Sequence, residues 1–150
     1  MPDIKQELYA LCREYVAKGI AAAQQAIADA REAAAGETKS SAGDKYETTR
    51  EMMQQEIDLN SARLAEQQKL KATLDTIDPQ HTSSVISSGS VVTTGQGDYF
   101  ISISVGKLNV GGNTYYALSA ASPLGSKLIG RSAGDSFLFN GKEVIIKNVY

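Results

Sequence analysis

The sequence predicts an α+β protein in which a long helical hairpin precedes a small β domain, and three observations support this prediction. No proline lies between Pro2 and Pro79, and that stretch is rich in Ala, Gln, Glu and Lys. Beyond Pro79 the composition changes to Val, Ile, Tyr, Ser and Gly, which are typical of short strands and turns. Apolar residues also recur in steps of four and three through the first part. We therefore predict a hairpin over residues 1–78, a linker over 79–84 and a β domain over 85–150.

The first predicted helix carries one narrow apolar stripe. The stripe consists of Ile4, Leu8, Leu11, Tyr15 or Val16, Ile20, Ala23, Ile27, Ala30 and Ala34. This spacing is typical of the a and d positions of a coiled coil. Helix-forming residues dominate from Asp3 to Ala35, so the helix is about 50 Å long at a rise of 1.5 Å per residue. Gly19 is its one weak interior position.

The second predicted helix repeats the stripe more loosely and ends at Pro79. Its apolar positions are Tyr46, Met53, Ile57, Leu64, Leu70 or Lys71, Leu74 and Ile77. Because the two helices match in length, we predict an antiparallel hairpin that folds back at residues 36–43 and has its tip at 36–47. Such a stripe also serves plain packing or dimerisation.

Runs of strand-forming residues follow the linker and are separated mostly by Gly and Asn. They lie near Val85–Ile86, Ser90–Thr94, Tyr99–Val105, Thr114–Ala120, Ser136–Phe139 and Glu143–Val149. Alternation over residues 100–105 and 144–149 predicts strands with one buried face. Asn140-Gly141 predicts a tight hairpin turn. Residues 122–130 begin with Ser-Pro and end in Gly, which predicts one short helix.

The charge balance disfavours DNA or RNA as the primary ligand. Residues 1–78 carry ten Lys or Arg against fourteen Asp or Glu, and residues 79–150 carry five against three. Neither part has the basic excess with which proteins neutralise phosphates. A basic set in the β domain remains a candidate for contacts with a partner protein or nucleic acid; it consists of Lys107, Lys127, Arg131 and Lys142.

The single cysteine and the single histidine exclude several kinds of chemistry. Cys12 has no partner for an intrachain disulfide or a thiolate zinc site, and its apolar neighbours indicate a small core residue. His81 lies alone in the linker, so the Gly-x-Ser-x-Gly pattern of residues 130–134 lacks the base of a hydrolase. No signal-like start or apolar stretch of about 20 residues is found. We expect a soluble protein of the reducing cytoplasm.

Several segments match one family pattern together. They are Ser122-Pro123-Leu124-Gly125, Leu128-Ile129-Gly130-Arg131, Gly134-Asp135-Ser136-Phe137 and the ending Val144–Tyr150. In the hairpin, Ile27–Glu32 and Tyr46–Glu51 match the end of the first helix and the start of the second. The chain thereby resembles the GreA/GreB family of bacterial transcript cleavage factors. The resemblance implies an N-terminal helical hairpin and a C-terminal domain with the FK506-binding-protein-like fold.

This resemblance also implies a partner and a mechanism. The β domain of such factors docks at the rim of the secondary channel of RNA polymerase, and the hairpin brings its tip to the catalytic Mg²⁺. Carboxylates at the tip help to hold a second Mg²⁺, so that the polymerase itself cleaves backtracked RNA. The chain would then be a monomer without a cofactor of its own, and its contact with nascent RNA would be indirect. Candidate contact residues for the polymerase are Tyr46, Ser122, Pro123, Leu124, Gly125, Gly130, Arg131 and Asp135.

The candidate carboxylates of the tip are Glu37, Asp44 and Glu47. They would share the polymerase-bound Mg²⁺. Asp44 and Glu47 have the Asp-x-x-Glu spacing of the family, but the same spacing forms a capping box at the start of a helix.

The alignment of the tip depends on its register. Aligning on Tyr46 puts Lys39 and Ala42 at the two acidic positions of the family. Aligning on Arg31-Glu32 puts Ala35 and Thr38 there, because this loop is longer. Two hypotheses follow: the protein stimulates cleavage, or it occupies the channel without cleaving.

Two further functional classes stay open. A coiled-coil adaptor or holdase would use the apolar stripe for an unrelated partner or a second copy. A peptidyl-prolyl isomerase would use an aromatic cage, as FK506-binding proteins do. The available aromatic residues are Tyr99, Phe100, Tyr115, Tyr116, Phe137 and Phe139, and most of them alternate into strands as core residues do.

Overall fold

The computed structural model describes residues 3–37 and 43–150, and the side chains of all of these except residues 37 and 43–46. The chain divides into two compact units. We call Val16–Lys71 the hairpin unit, and we call the residues up to Tyr15 together with Ala72–Tyr150 the sheet unit. The predicted α+β class, a helical hairpin followed by a mostly antiparallel sheet and one short helix, is confirmed. The predicted boundary near Pro79 stays a prediction.

The described residues form three helices and six strands. The helices are α1 (Ile4–Glu37), α2 (Gly43–Asp75) and α3 (Pro123–Leu128). The strands are β1 (Val91–Thr94), β2 (Asp98–Ser102), β3 (Gly106–Val110), β4 (Asn113–Ser119), β5 (Ser136–Phe139) and β6 (Lys142–Val149). They form one sheet in the order β3-β4-β2-β1-β6-β5. All neighbours are antiparallel except β2 and β4, which run parallel.

Two details of the strand prediction were wrong. The run at Val85–Ile86 forms no strand, because Val85 makes only an isolated bridge with Ser132. Strand β3 was missed, and the run predicted to reach Val105 ends at Ser102. The Asn140-Gly141 turn agrees with its prediction, since both residues have positive φ, at 52° and 77°.

Apart from Tyr15, the apolar stripe of α1 is buried or half-buried, as its spacing predicts. Ala23, Ile27 and Ala30 are buried in the hairpin unit together with Val16. The alternative between Tyr15 and Val16 is resolved for Val16, because Tyr15 is 43% exposed. On α2, Leu70 is half-buried and Lys71 is exposed.

Two polar residues interrupt the stripe of α2 and explain its loose pattern. Asn60 is buried, and its side-chain amide donates to the carbonyl of Glu56 at 2.8 Å. Gln67 lies against Gly19 of α1, where an added Cβ would come within 2.5 Å of the Gln67 amide. The buried Oε1 of Gln67 accepts no hydrogen bond from the described residues. Gly19 therefore makes room for the Gln67 side chain.

Replacing Gly19 by alanine is expected to stabilise the protein by about 0.5 kcal/mol, and by about 1 kcal/mol when Gln67 is already alanine. Alanine is the better helix former, but in the wild-type background the Gln67 amide must first turn away. Urea unfolding of the two single variants and the double variant measures this coupling. An equal gain in both backgrounds would show that Gln67 does not depend on the space above Gly19.

In the sheet unit, α3 covers one face of the sheet. Val92, Ile101 and Ile146 form a buried cluster there with Leu128 of α3 and Ile86 of the preceding segment. On β6 the predicted alternation is confirmed, since Val144 and Ile146 are buried while Ile145 and Lys147 are exposed.

The opposite face of the central strands is covered by the first turns of α1 and the end of α2. The Sγ atom of Cys12 lies 3.6 Å from the hydroxyl oxygen of Ser102 on β2, and burial raises the pKa of this thiol. The side chain of Ile77 lies beside Gly89. Residues 100–102 of β2 are each at most 2% exposed, so this strand is buried on both faces and not on one as predicted.

Among the described residues, no helix is both long and apolar enough to cross a membrane.

Candidate functional site

The predicted partner-contact residues of the sheet unit come together at one place. We call residues 122–135, which comprise α3 and the loop that follows it, the α3 corner. Backbone hydrogen bonds join α3 to the loop. The amide of Ile129 donates to the carbonyl of Gly125 at 3.0 Å, and the amide of Arg131 donates to the carbonyl of Leu128 at 3.1 Å.

The N-terminus of α3 is capped as the Ser-Pro-Leu-Gly segment predicts. Ser122 is extended, at φ −66° and ψ 159°, and its hydroxyl oxygen accepts from the amide of Gly125 at 3.0 Å. The same hydroxyl donates to the carbonyl of Ser119 at 2.6 Å. Pro123 then occupies the first helical position, where no amide hydrogen is needed.

Gly125 is required by a close approach of two backbone segments. A Cβ atom there would lie 2.0 Å from the carbonyl oxygen of Ser119 and 2.8 Å from the hydroxyl of Ser122. Leu124 packs partly against the buried cluster that contains Leu128, whereas Ile129 stays exposed. The sequence motif is thus explained by the geometry of α3, which holds one apolar face in the core.

The loop after α3 is closed by hydrogen bonds on both sides. Gly130, at φ 84°, donates its amide to Ile86, and Ile86 donates back to Arg131 at 2.8 Å. The carboxylate of Asp135 accepts from the amide of Ser132 at 2.8 Å. The carbonyl of Asp135 accepts from Ile146 at 2.9 Å, which joins the loop to β6. Gly130 and Asp135 therefore shape this loop.

Arg131 is the charged group that the α3 corner positions. Its Nε donates to the carbonyl of Lys127 at 2.6 Å, and its guanidinium lies over the ring of Phe137, 4.6 Å from the ring centre. A guanidinium has five N–H donors, so this arrangement fixes the group while other donors can pair with an external carboxylate. The exposed Lys127 adds a second positive charge on α3.

The basic set predicted from the sequence does not form one face. Lys127 and Arg131 belong to the α3 corner, and Lys142 opens β6 beside the edge strand β5. Lys107 lies on β3, at the opposite edge of the six-stranded sheet. Only the first two residues are brought together.

The aromatic residues considered for an isomerase are divided between core and surface. Phe100 and Tyr115 are buried, while Tyr116 is 44% exposed. The rings of Tyr99 and Tyr116 are tilted, with centres 6.3 Å apart. Phe137 carries the guanidinium of Arg131. This arrangement gives most of these aromatic rings a packing role.

The residues predicted to act at the tip lie largely outside the described part of the structure. Helix α1 ends at Glu37 and α2 begins at Gly43. The side chains of Glu37, Asp44 and Tyr46 lie outside the description, and Glu47 is exposed on α2. The capping box of Asp44 and Glu47 and the Mg²⁺ contact of the tip carboxylates both stay predictions.

The described residues include no group of three or more His, Cys, Asp or Glu side chains that could hold a metal ion. Carboxylates are suitable ligands for Mg²⁺. A metal contact by this chain therefore rests on the tip residues.

One buried lysine was not predicted from the sequence. Lys5 is only 4% exposed, although lysine is almost never buried without a partner. The spacing of Lys5 could have indicated its burial. Lys5 precedes the buried residues Leu8 and Cys12 by three and seven positions, which places it on their face of α1.

The fold and the α3 corner define a class of α+β proteins in which a helical hairpin precedes a sheet domain with a capped corner helix. No protein-family model matches the chain, and no curated protein matches it. Among solved structures, that of the transcription factor Gfh1 is similar, with 22% identity over 88% of this chain and 93% of that chain, at a TM-score of 0.35. At this level of likeness, no function is transferred to this chain.

Proposed function

We propose that this protein is a transcription factor of the Gre type that binds RNA polymerase. In this proposal the sheet unit docks at the rim of the secondary channel, and the hairpin tip is directed toward the catalytic Mg²⁺. The observation that carries the proposal is that the segments resembling the GreA/GreB pattern within residues 122–135 form the hydrogen-bonded α3 corner. Helices of 34 and 33 residues, about 50 Å long, also suit a channel-reaching hairpin.

The α3 corner supplies a pre-organised contact. The Ser122 cap and the bond between Asp135 and Ser132 fix the backbone, and stacking on Phe137 restrains Arg131. A partner that offers a carboxylate to Arg131 then orders few additional side chains on binding, which lowers the entropic cost of association. Salt is expected to weaken such a contact because the charges are near the surface.

The tip supplies the proposed effect on the polymerase. Glu37, Asp44 and Glu47 would share a Mg²⁺ ion with the polymerase, and that ion would activate water for hydrolysis of the transcript. The role of this chain is to bring carboxylate oxygens to the ion and to hold them there. The polymerase supplies the remaining ligands and the RNA.

A second candidate is a factor that occupies the channel without stimulating cleavage. One observation favours it: neither alignment register of the tip retains both acidic positions of the family. Lys39 and Lys45 would also partly neutralise the carboxylates that remain. In this case binding alone would regulate the polymerase.

The deciding experiment is a cleavage assay on a stalled, backtracked elongation complex. We expect the wild-type protein to bind the complex and shorten its RNA. The triple variant Glu37→Gln, Asp44→Asn and Glu47→Gln is expected to bind equally well but to cleave about tenfold more slowly or worse, which corresponds to at least about 1.4 kcal/mol of lost transition-state stabilisation.

The matched control neutralises three exposed acids further along α2, through Glu51→Gln, Glu56→Gln and Asp58→Asn. It changes the net charge by the same amount and is expected to leave cleavage unchanged. Binding without cleavage by the wild type would favour the second candidate. Absence of both binding and cleavage would refute both candidates.

A further inference from the structure

A polar cavity lies in the sheet unit, where the first turn of α1 meets residues 76–90. Its volume is about 150 Å³. The residues that line it include Lys5, Asp78, His81, Ser83, Ser87 and Ser90. A water molecule takes up about 30 Å³ of liquid volume, so the cavity has room for a ligand of several heavy atoms.

Lys5 is the buried charge of this cavity. Its Nζ donates one hydrogen bond to the carbonyl of His81 at 2.5 Å, and an ammonium group has three donors. Within residues 3–37 and 43–150, Lys5 forms no ion pair. The other two donors of this cavity-lining ammonium make no hydrogen bond with the described residues, and an unpaired buried charge is costly.

The hydroxyl groups of the cavity add further donors. The Ser90 hydroxyl oxygen accepts from the amide of Ser87 at 3.0 Å, and that of Ser83 accepts from the amide of Val85 at 3.2 Å. A hydroxyl that accepts from the backbone keeps its own hydrogen for another partner. The Ser83 and Ser90 hydroxyls can therefore each donate to a further acceptor.

The acidic groups near the cavity are weak competitors for this charge. Asp78 is exposed, and its Oδ1 already accepts from the amide of Gln80 at 2.9 Å. Asp3 is also exposed and accepts from the amide of Lys5 at 3.1 Å. Both carboxylates attract the ammonium, but burial outweighs them and lowers the pKa of Lys5.

We propose that this cavity binds a tetrahedral oxyanion of the phosphate class, held by the ammonium of Lys5 and by serine hydroxyls. Charge-assisted hydrogen bonds from an ammonium to a phosphate oxygen are short and strong. The anion compensates a buried charge that forms no ion pair with the described residues. The site shares no residue with the hairpin tip or with the α3 corner.

The test uses the full-length protein and inorganic phosphate. We expect a saturable rise in Tm, roughly 3 °C at phosphate tenfold above its Kd, relative to chloride at equal ionic strength. Lys5→Met keeps the length of the side chain and removes the charge, so the variant is expected to bind phosphate at least tenfold more weakly. Lys107→Met, on β3, is the matched control and is expected to behave like the wild type.

General stabilisation by phosphate through surface exclusion affects all three proteins alike and does not saturate. Amide chemical shifts of the wild type provide a measurement that needs no variant. Phosphate is expected to shift the resonances of Lys5, Ser83 and residues 87–90 with one common Kd. Absence of these shifts, or equal binding by Lys5→Met, would overturn the proposal.

A parallel titration with glycerol 3-phosphate identifies the source of the phosphoryl group. Binding of inorganic phosphate alone would support a site for the free ion. Equal binding of the ester would support a site for the phosphoryl end of a larger molecule. Binding of neither would contradict the proposal.

Discussion

Replacing Gly125 by alanine is expected to lower the free energy of unfolding by about 3 kcal/mol, because the new methyl group would overlap the backbone. The Cβ atom would lie 2.0 Å from the carbonyl oxygen of Ser119. That oxygen cannot simply move away, since it accepts from the amide of Ser122 at 3.0 Å and from its hydroxyl at 2.6 Å. The substitution therefore forces either the cap or the end of β4 to shift.

Urea unfolding of the purified variant measures this loss. Gly95→Ala is the matched control, because an added Cβ at Gly95 meets no atom within 4 Å and its backbone is outside the positive-φ region. We expect its stability to stay within about 0.5 kcal/mol of the wild type. A Gly125 variant as stable as this control would mean that the close approach to Ser119 relaxes at little cost.

This result bears on how the Ser-Pro-Leu-Gly segment is interpreted. Ser122 and Gly125 are explained by capping and by backbone contact, so replacing them tests the stability of the fold and not a contact with a partner. Arg131 is different, because its guanidinium is held outside the core by Lys127 and Phe137. Of these three residues, only Arg131 would test the proposed contact with a partner.

The hairpin was predictable because its signal is local and periodic. Steps of three and four residues place Val16, Ala23 and Ile27 on one face whatever lies beyond the helix. The polar breaks in α2 were not predictable in the same way. Asn60 and Gln67 read as surface residues in the sequence, and only the opposite helix, with Gly19, shows why there is space for Gln67.

The sheet was predictable only in part, because strand signals depend on partners far away in the sequence. Edge strand β3 buries just Leu108 and Val110, so its pattern is too weak to recognise. The apolar pair at 85–86 looks like a strand, yet Ile86 pairs with Gly130 and Arg131 around the loop. The alternation of β2 failed because Ser102, polar but buried, meets Cys12 of α1.

The candidate site, too, was predictable only where its contacts are local in the sequence. The cap of α3 arises within four residues and was predicted from Ser122 and Pro123. The stacking of Arg131 on Phe137 and the cavity around Lys5 join residues that are distant in the sequence. No local pattern specifies such contacts.

A chain that begins at Gln80 is expected not to fold into the native sheet. The sheet unit would lose four buried apolar side chains, namely Leu8, Cys12, Leu74 and Ile77. Burial of one such apolar side chain contributes about 1.5–3 kcal/mol. Their combined loss is comparable to the total stability of a small domain, which is about 5–15 kcal/mol. It would also expose the face of β2 that carries Ser102.

The control is a shortened chain that keeps the helical residues of the sheet unit, up to Tyr15 and from Ala72 onward. Residues 16–71 are replaced by a short glycine-rich turn between Tyr15 and Ala72. The hydroxyl of Tyr9 would still donate to the carbonyl of Leu74, at 2.7 Å in the intact protein. The ion pair of Arg13 with Asp75 would also remain, although its exposure limits its contribution. This shortened chain is expected to fold.

Dispersion of amide resonances and a cooperative thermal transition distinguish the two chains. We expect both in the shortened chain and neither in the chain that begins at Gln80. A native spectrum from the latter would place the folding boundary at Pro79, where the sequence composition changes. The expected result places it within the two helices, because their first and last turns complete the core of the sheet.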